Sequence, residues 1–213
     1  MIYNDIKIKQ QYYIIKNKMF QLEIIIGCMF SGKTTEMLRR VSRYEAIGKK
    51  ILIINHSLDT RTDDSVCTHN KHKKKAIKTE KLLSLLDNKQ FNEAEVIGID
   101  EAQFFNDLYK FILCIEKTNK KVFISGLDGD YLRRPFGQIL QCIPLCDTVT
   151  KLHAMDMVSK DGSPAMFTKR IQLKPESNKD DNNKNAKDDK LIVIGNHDKY
   201  VAVNRNNYLN YLF

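Results

Sequence analysis

The sequence predicts an α/β fold in which helices cover both faces of a parallel sheet, followed by a small β-rich annex over residues 149–213. Three observations lead to this prediction. Short β-branched runs alternate with helical segments as far as residue 148, as in parallel sheets. A glycine-rich loop separates the first predicted strand from the first predicted helix. Beyond residue 148 the alternation stops, and short strands with intervening turns replace it.

The first strand, loop and helix form the most specific pattern in the chain. Residues 22–26 are largely β-branched, end at a glycine and predict a buried strand. Residues 27–34, GCMFSGKT, match G-x-x-x-x-G-K-[ST] at every required position. Residues 35–47 predict a helix with one apolar face, and Gly48 predicts its end. This order predicts a phosphate-binding loop (the phosphate loop, residues 27–34), because backbone N–H groups and the helix N-terminus face one anion.

Side chains of the phosphate loop predict the binding of a nucleoside triphosphate and its metal ion. Lys33 adds a positive charge for the terminal phosphates, and the Thr34 hydroxyl is a Mg²⁺ ligand. The predicted phosphate-binding set within the loop is Gly27, Met29, Ser31, Gly32, Lys33 and Thr34. A chance match in a glycine-containing turn is the alternative, and the flanking strand and helix argue against it.

The remaining elements continue the alternation and then change character. Strands are predicted at 50–55, 94–100 and 121–126, and a helix at 107–118, capped by Asn106 or Asp107. The fold class is therefore that of a P-loop NTPase. The predicted organisation is an N-terminal extension over 1–20, a nucleotide-binding domain over 21–148 and the annex. Within the annex, strands are predicted at 149–155, 167–173, 191–194 and 200–203, and residues 174–190, rich in Lys, Asp and Asn, predict a disordered surface loop.

Composition excludes several classes of function. The net charge is +9, but the densest basic run, residues 69–75, has no interleaved aromatic residues, so a solvated loop is favoured over a nucleic-acid site. Five cysteines without paired spacing predict a reducing compartment, and Cys142 and Cys146 are expected to be ordinary buried residues. No apolar run approaches a membrane span, and the N-terminus is a poor secretion signal. These features predict a cytoplasmic protein.

Two carboxylates follow the strand predicted at 94–100. Ligands of open parallel sheets lie at the carboxyl ends of strands, so Asp100 is placed to hold the Mg²⁺ shell through water. Glu101 is placed to accept a proton from an attacking hydroxyl or water. A surface acidic pair is the alternative. Asp59 and Arg61 follow the second strand and suit metal-bound water and phosphate oxygens, or else an incidental ion pair in a turn. Residues 128–137 suit a loop that covers a ligand, or else a well-packed turn.

These motifs, in their order, resemble those of type II thymidine kinases, the small, cytosolic, tetrameric family. The resemblance covers roughly residues 20–208 and is carried by MFSGKT at 29–34, DTR at 59–61, IDEAQFF at 99–105, LDGDY at 127–131, RPFG at 134–137, FTKR at 167–170 and DKY at 198–200. It implies transfer of the γ-phosphoryl group of ATP to the 5′-hydroxyl of thymidine, with Mg²⁺ and with deoxyuridine as a further acceptor. It also implies a homotetramer and feedback inhibition by thymidine triphosphate.

The resemblance assigns roles to individual positions. Glu101 matches the catalytic base, and Asp59, Arg61, Asp100 and Gln103 match the ATP and phosphate positions. The positions that match the thymidine site are Met29, Phe104, Leu127, Tyr131, Thr168 and Tyr200. In the family, backbone groups of a lasso-shaped loop hold the thymine base, and that loop is expected to run from near Thr168 to Tyr200.

One departure from the family concerns a structural zinc ion. The four positions that match the zinc ligands are Asp156, Ser159, Asn204 and Asn207. Ser and Asn side chains make a poor zinc site, so no structural zinc is predicted. Two alternatives to a kinase stay open on the sequence. One is a non-catalytic regulatory protein that binds nucleotides, and the other is an ATPase stimulated by nucleic acid.

Overall fold

The computed structural model describes residues 19–59, 65–67, 73–171 and 199–210. The strands are, in chain order, β1 (Gln21–Gly27), β2 (Ile51–His56), β3 (Ser65–Cys67), β4 (Lys73–Lys75), β5 (Ile77–Thr79), β6 (Val96–Ile99), β7 (Lys121–Leu127), β8 (Thr148–Leu152), β9 (Ala154–Met155), β10 (Pro164–Ala165), β11 (Phe167–Arg170) and β12 (Tyr200–Val203). The α-helices are α1 (Lys33–Glu45), α2 (Lys89–Glu93), α3 (Leu108–Ile115) and α4 (Arg205–Asn210). Three 3-10 helices span Leu82–Leu85, Ala102–Phe104 and Ile139–Leu145.

The centre of the molecule is a six-stranded sheet with the order β5-β2-β6-β7-β1-β8. Every adjacent pair in it is parallel. On one face, α1 packs Met37 and Val41 against Ile25 and neighbouring strand residues. On the other face, α3 packs Phe111 and other apolar residues against alternate residues of the same strands. Successive side chains of a strand point to opposite faces, so both faces are covered and the predicted α/β class is confirmed.

The predicted elements of the nucleotide-binding region are confirmed, with shifted ends. Helix α1 begins at Lys33, two residues before the predicted start, because Gly32 with φ 81° turns the phosphate loop directly into the helix. Gly48 has φ 78°, a left-handed conformation that glycine adopts readily, and it ends the helical segment as predicted. Asp107 is the N-cap residue of α3. Its Oδ2 accepts a hydrogen bond from Leu83 N–H instead of capping its own helix.

Two predictions about the second half of the chain are wrong. One is that residues 149–155 form a single annex strand, and the other is that the alternating sheet stops at residue 148. Residues 149–155 do not form one annex strand. They divide between β8, which pairs in parallel with β1 in the main sheet, and β9, which pairs with β10. The sheet thus continues past residue 148. The sequence obscures this because β8 is a half-exposed edge strand, with Val149 41% exposed, and lacks the apolar run of a buried parallel strand.

The remaining annex predictions fall partly within the described residues. Strand β11 is shorter than the predicted 167–173 and pairs antiparallel with β12, which has the predicted bounds. The strand predicted at 191–194 and the insertion at 174–190 lie outside the described residues. In the basic run, Lys73–Lys75 form β4, which pairs with β3, and are not the predicted loop. No helix within the described ranges is long and apolar enough to cross a membrane.

A network of charged side chains fixes α1 to the sheet. Arg40 Nη1 donates to Glu23 Oε2 on β1 at 2.8 Å, and its Nε donates to Glu36 Oε1 at 2.8 Å. Its Nη2 donates to Thr150 Oγ1 on β8 at 2.9 Å. Hydrogen bonds from Arg39, and then from Arg40, lower the pKa of Glu36 to about 2 despite its partial burial. The helix that follows the phosphate loop is therefore held against two strands of the sheet.

Candidate active site

The carboxyl ends of the parallel strands meet at one edge of the sheet, and the phosphate loop begins there. Gly27, the last residue of β1, pairs with Leu127 of β7 on one side and with Leu152 of β8 on the other. Asp100 and Glu101 follow β6, the neighbour of β7. The fold therefore brings the phosphate loop and the predicted acidic pair to the same edge.

The backbone of the phosphate loop is held in conformations that few residues adopt. Phe30 has φ 64° and Gly32 has φ 81°. Gly27 lies so close to the edge strand that a Cβ there would clash with the carbonyl oxygen of Leu152. Ser31 Oγ donates to the Cys28 carbonyl oxygen at 2.8 Å, which braces the loop from within. These contacts hold a tight concave turn of backbone, as anion binding requires.

Lys33 lies within this turn, and its Nζ donates to the Cys28 carbonyl oxygen at 2.6 Å. Burial lowers the pKa of Lys33, and the negative charge of Glu101 and then Asp100 partly opposes that effect. The Lys33 side chain is thus partly shielded from water and lies close enough to both carboxylates to interact with them. A phosphate group bound in the loop would add a further negative charge and favour the protonated form.

Asp100 joins the phosphate loop to the central strand. Thr34 Oγ1 lies 3.1 Å and 2.9 Å from the two carboxylate oxygens of Asp100. Ser125 Oγ on β7 donates to Asp100 Oδ1 at 2.6 Å. Asp100 is 3% exposed. A hydroxyl and a carboxylate side by side are oxygen donors of the type that Mg²⁺ prefers, so Thr34 and Asp100 fit this ion.

Sequence reasoning did not single out Ser125. The sequence signal for Ser125 is weak: it is the lone hydroxyl in the apolar run of β7. In the structure Ser125 is fully buried. A buried hydroxyl in a central strand requires a partner, and here that partner is Asp100. Asn55 is a similar case at the end of β2, where its Nδ2 donates to Asp59 Oδ2 at 2.9 Å. Asp59 is 6% exposed, and Arg61 lies outside the described residues.

Glu101 is held in an unusual backbone conformation beside Gln103. Its φ is 51°, in the left-handed region that a non-glycine residue rarely occupies. Gln103 Nε2 donates to Glu101 Oε2 at 2.6 Å. The other amide atom, Gln103 Oε1, accepts from Leu127 N–H at 2.9 Å. Gln103 was predicted among the ATP and phosphate positions, and the structure places its side chain, 2% exposed, between Glu101 and β7.

The predicted thymidine-site residues approach the phosphate loop from the annex side. Met29 N–H donates to Thr168 Oγ1 on β11 at 3.0 Å, and Cys28 Sγ donates to the Ala165 carbonyl oxygen at 3.3 Å. In the β11–β12 pair, Arg170 lies opposite Tyr200. Residues two apart on a strand share a face, so Thr168 and Tyr200 lie on the same face of this pair. The structure therefore brings Met29, Thr168 and Tyr200 to one region.

The other predicted thymidine-site residues are Leu127 and Tyr131, which belong to the loop 127–136, and Phe104, which packs against this loop. The rings of Phe104 and Phe136 pack edge to face with centroids 5.6 Å apart. The Tyr131 carbonyl oxygen accepts a hydrogen bond from the Tyr208 hydroxyl at 2.8 Å. The Arg133 guanidinium stacks on the ring of Tyr208, 4.3 Å from its centroid. This loop is thus fixed to the annex through an aromatic residue near the chain's C-terminus.

The four positions that match zinc ligands form a hydrogen-bonded group, the Asp156 cluster (Asp156, Ser159, Asn204 and Asn207). Asp156 Oδ1 accepts from Val158 N–H at 2.8 Å, from Ser159 N–H at 2.7 Å and from Asn207 Nδ2 at 2.9 Å. Asp156 Oδ2 accepts from Asn204 N–H at 2.5 Å. Asn207 Nδ2 also donates to Ser159 Oγ at 2.6 Å. N–H groups therefore donate to both carboxylate oxygens.

The Asp156 cluster does not fit zinc. A tetrahedral zinc site needs four lone pairs, usually from sulfur or nitrogen, that converge on one point. Here the Asn207 amide turns its donor group toward Asp156, which is 2% exposed. Burial raises the pKa of Asp156, but hydrogen bonds from Asn204 and Ser159 backbone N–H groups outweigh it and hold the pKa below its usual value. Within the described parts of the chain, no group of three or more His, Cys, Asp or Glu residues is arranged to hold a metal ion.

A parallel sheet whose first strand leads through a phosphate loop into a helix defines a P-loop protein that binds nucleotides. A family profile described as thymidine kinase matches residues 20–208. The chain therefore belongs to the thymidine kinase family, and it is an enzyme that transfers phosphoryl groups.

Curated relatives support the assignment of the chain to this family. The thymidine kinase of raccoon poxvirus is 38% identical over 189 residues, which cover 89% of this chain and 97% of that protein. The human protein named "Thymidine kinase, cytosolic" is 38% identical over 185 residues, covering 87% and 71% of the two chains. Thymidine kinase a of Arabidopsis thaliana is 39% identical over 193 residues, covering 88% and 74%.

Proposed function

We propose that this chain transfers the γ-phosphoryl group of ATP to the 5′-hydroxyl of thymidine and so yields thymidine monophosphate for nucleotide salvage. Deoxyuridine is a further acceptor. One observation carries the proposal: Glu101 directly follows Asp100, whose carboxylate contacts Thr34 of the phosphate loop. A proton acceptor thus adjoins the metal and phosphate positions, and in-line phosphoryl transfer requires that arrangement.

In the proposed mechanism, donor-side residues bind and orient the triphosphate. The backbone N–H groups of the phosphate loop and Lys33 hold its terminal phosphates. Thr34 and Asp100 would hold Mg²⁺, and Arg61 and Asp59 would act on the phosphates and on water bound to that ion. When bound, Mg²⁺ offsets charge that develops on the phosphate oxygens.

The acceptor side supplies the nucleophile and its base. Glu101 takes the proton of the 5′-hydroxyl as that oxygen forms a bond to the γ-phosphorus. The bond between the γ-phosphorus and the bridging oxygen breaks, and ADP leaves with the electron pair. The residues proposed to surround the thymine and sugar are Met29, Phe104, Leu127, Tyr131, Thr168 and Tyr200. Apolar contact with the 5-methyl group and backbone hydrogen bonds select thymine over cytosine.

A nucleoside panel tests the proposal. The kcat/KM of the purified protein with ATP and Mg²⁺ is measured for thymidine, deoxyuridine and deoxycytidine, and we expect thymidine to lead and deoxycytidine to be poorest. Glu101→Gln should lower kcat by roughly 10²- to 10⁴-fold, the usual loss of a general base, while ATP binding persists. Glu116→Gln, at an exposed position, is the matched control. A wild-type protein that binds ATP but phosphorylates no nucleoside would support the regulatory alternative instead.

Further proposals rest on family membership. We propose a homotetramer without structural zinc, with thymidine triphosphate as feedback inhibitor at the thymidine site. The bonding of the Asp156 cluster supports the absence of zinc. We propose a cytoplasmic location, which the name of the human relative supports. Light scattering gives the assembly, and elemental analysis gives the zinc content. Stoichiometric zinc in the purified protein would contradict the proposed absence of structural zinc.

A further inference from the structure

We propose that Gln103 is a positioning residue that sets the orientation of the Glu101 carboxylate and couples it to the acceptor-side backbone at Leu127. The proposal rests on the proposed role of Glu101 as the base. It differs from the role expected of Gln103 as a contact to ATP or its phosphates. The two roles predict different kinetics when Gln103 is changed.

The hydrogen bonds of Gln103 define which atom faces which neighbour. Leu127 N–H is a donor, so the amide atom that faces it at 2.9 Å is the oxygen. The amide nitrogen therefore faces Glu101 Oε2, which accepts its hydrogen at 2.6 Å. A reversed amide would place two acceptors together on one side and two donors on the other. The side chain thus spans the ends of β6 and β7 in one orientation.

Gln103 is buried and closely packed. It is 2% exposed, on the 3-10 helix Ala102–Phe104. A Cβ at Gly126 would lie 2.6 Å from Gln103 Oε1. A Cβ at Gly137 would clash with the Gln103 carbonyl oxygen, and Gly137 has φ 61°. Two glycines from separate segments therefore make space for this one residue.

The backbone conformation of Glu101 makes the hydrogen bond from Gln103 Nε2 to Glu101 Oε2 important. With φ 51°, Glu101 occupies a region that persists in an L-residue only where the surroundings hold it. The Gln103 amide is one such restraint, because it lies two residues further along the chain and donates a hydrogen bond to the Glu101 carboxylate. Without it, the carboxylate loses a restraint that orients it toward the position that proton transfer requires. A base misplaced by about 1 Å can lower a rate by roughly 100-fold.

The link to Leu127 couples the base to the acceptor side. Leu127 ends β7, beside Gly27 of the phosphate loop, and it is one of the residues proposed to surround thymidine. One amide therefore joins the proton acceptor to the strand end where the acceptor binds. A shift of this strand end would move Glu101 through Gln103.

Two substitutions of Gln103 separate its contacts. Gln103→Glu keeps an acceptor for Leu127 N–H but removes the donor to Glu101, while Gln103→Met removes both. The matched control is Gln138→Glu, because Gln138 Oε1 also accepts a backbone hydrogen bond, from Tyr109 N–H at 2.9 Å. Calorimetric ATP binding and thermal unfolding verify that each variant folds.

We expect both Gln103 variants to lower kcat by roughly 10- to 100-fold, with KM for ATP within threefold of wild type. The control should keep the wild-type kcat. In a Glu101→Gln background, Gln103→Met should have no further effect on kcat beyond about twofold, because it acts through the base.

Three results would overturn the proposal. A higher KM for ATP with an unchanged kcat would make Gln103 a phosphate contact. Unchanged kinetics in both variants, or a full additional loss in the Glu101→Gln background, would exclude action through the base. If wild type is active and Glu101→Gln is not, these results reject the role of Gln103 alone. A wild-type protein without kinase activity would reject the proposed function and this inference with it.

Discussion

Replacement of Asp156 by Asn tests whether the hydrogen bonds of the Asp156 cluster stabilise the annex. The Asn side chain is isosteric, but it removes the negative charge and turns one acceptor into a donor. If its oxygen remains where Asp156 Oδ1 accepts from Val158, Ser159 and Asn207, its NH₂ group faces the N–H of Asn204. Two donors then oppose each other at a site that is 2% exposed in wild type.

The expected loss follows from these contacts. A hydrogen bond to a charged group contributes about 1.5–3 kcal/mol, and one between neutral groups about 1 kcal/mol. Asp156→Asn weakens three such bonds and replaces the fourth by a donor–donor contact, so the free energy of unfolding should fall by about 3 kcal/mol. For a protein of this size, that loss lowers Tm by roughly 6–12 °C.

The loss should depend on pH in a defined direction. Hydrogen bonds from backbone N–H groups hold the pKa of Asp156 below its usual value in the folded protein. The contribution of the carboxylate is therefore fully present above the unfolded pKa of about 3.9 and disappears as pH falls through the folded value. Wild type and Asp156→Asn should differ most near neutral pH, and the difference should shrink as pH falls below about 4 and through the folded pKa.

Calorimetric unfolding with and without a chelator provides the assay. Asp161→Asn is the matched control, because Asp161 is exposed, lies five residues further along and accepts hydrogen bonds from the side chain of Ser163 and from Ser163 N–H, the latter at 2.9 Å. The control should unfold within about 1 °C of wild type. The reasoning is refuted if Asp156→Asn does the same, or if a chelator lowers the Tm of wild type, which would show a metal-stabilised annex.

Three further predictions concern other parts of the molecule. Glu36→Gln should lower stability at neutral pH by about 2 kcal/mol, because arginine hydrogen bonds hold the pKa of Glu36 at about 2. This difference should vanish in denaturant titrations as pH falls from about 4.5 toward 2, and a constant difference would contradict it. A thiol reagent at pH 8 should label the exposed Cys114 well before Cys142, whose pKa burial raises to about 12; equal rates by peptide mass spectrometry would contradict this. Gly27→Ala should weaken ATP binding at least about tenfold by calorimetry, since its Cβ clashes with the Leu152 carbonyl oxygen; wild-type affinity would show that the loop adapts.

Local patterns made most of the fold predictable. The phosphate loop and its flanking elements are written in consecutive residues, so the sequence specified β1 and α1 to within two residues at their first residues. The alternation of strands and helices specified a parallel sheet, which the structure confirms. The place of β8 at the edge of the main sheet was not predicted, because its exposed residues lack the apolar run on which such a prediction depends.

The finer features of the candidate site depend on contacts between distant segments. Gln103 stands in a motif that suggested nucleotide binding, and only the fold places it between Glu101 and the Leu127 amide. The sequence showed that Asp156 lacks zinc-binding companions. It could not show that the backbone N–H of Asn204, far along the chain, would donate to this carboxylate. Backbone donors carry no signal in residue identity, so a hydrogen-bonded cluster of this kind is hard to predict.

The attachment of the annex to the phosphate loop does not depend on the Asp156 cluster. Cys28 packs among Ala154, Ala165 and Ala202, whose small side chains allow the annex backbone to approach the loop closely. Met29 N–H then donates to Thr168 Oγ1 across this contact. The Asp156 cluster has to hold the annex strands to one another, while their position on the donor side follows from separate contacts with the loop. Disruption of the Asp156 cluster should therefore loosen the annex strands without reaching the residues proposed to bind the phosphates.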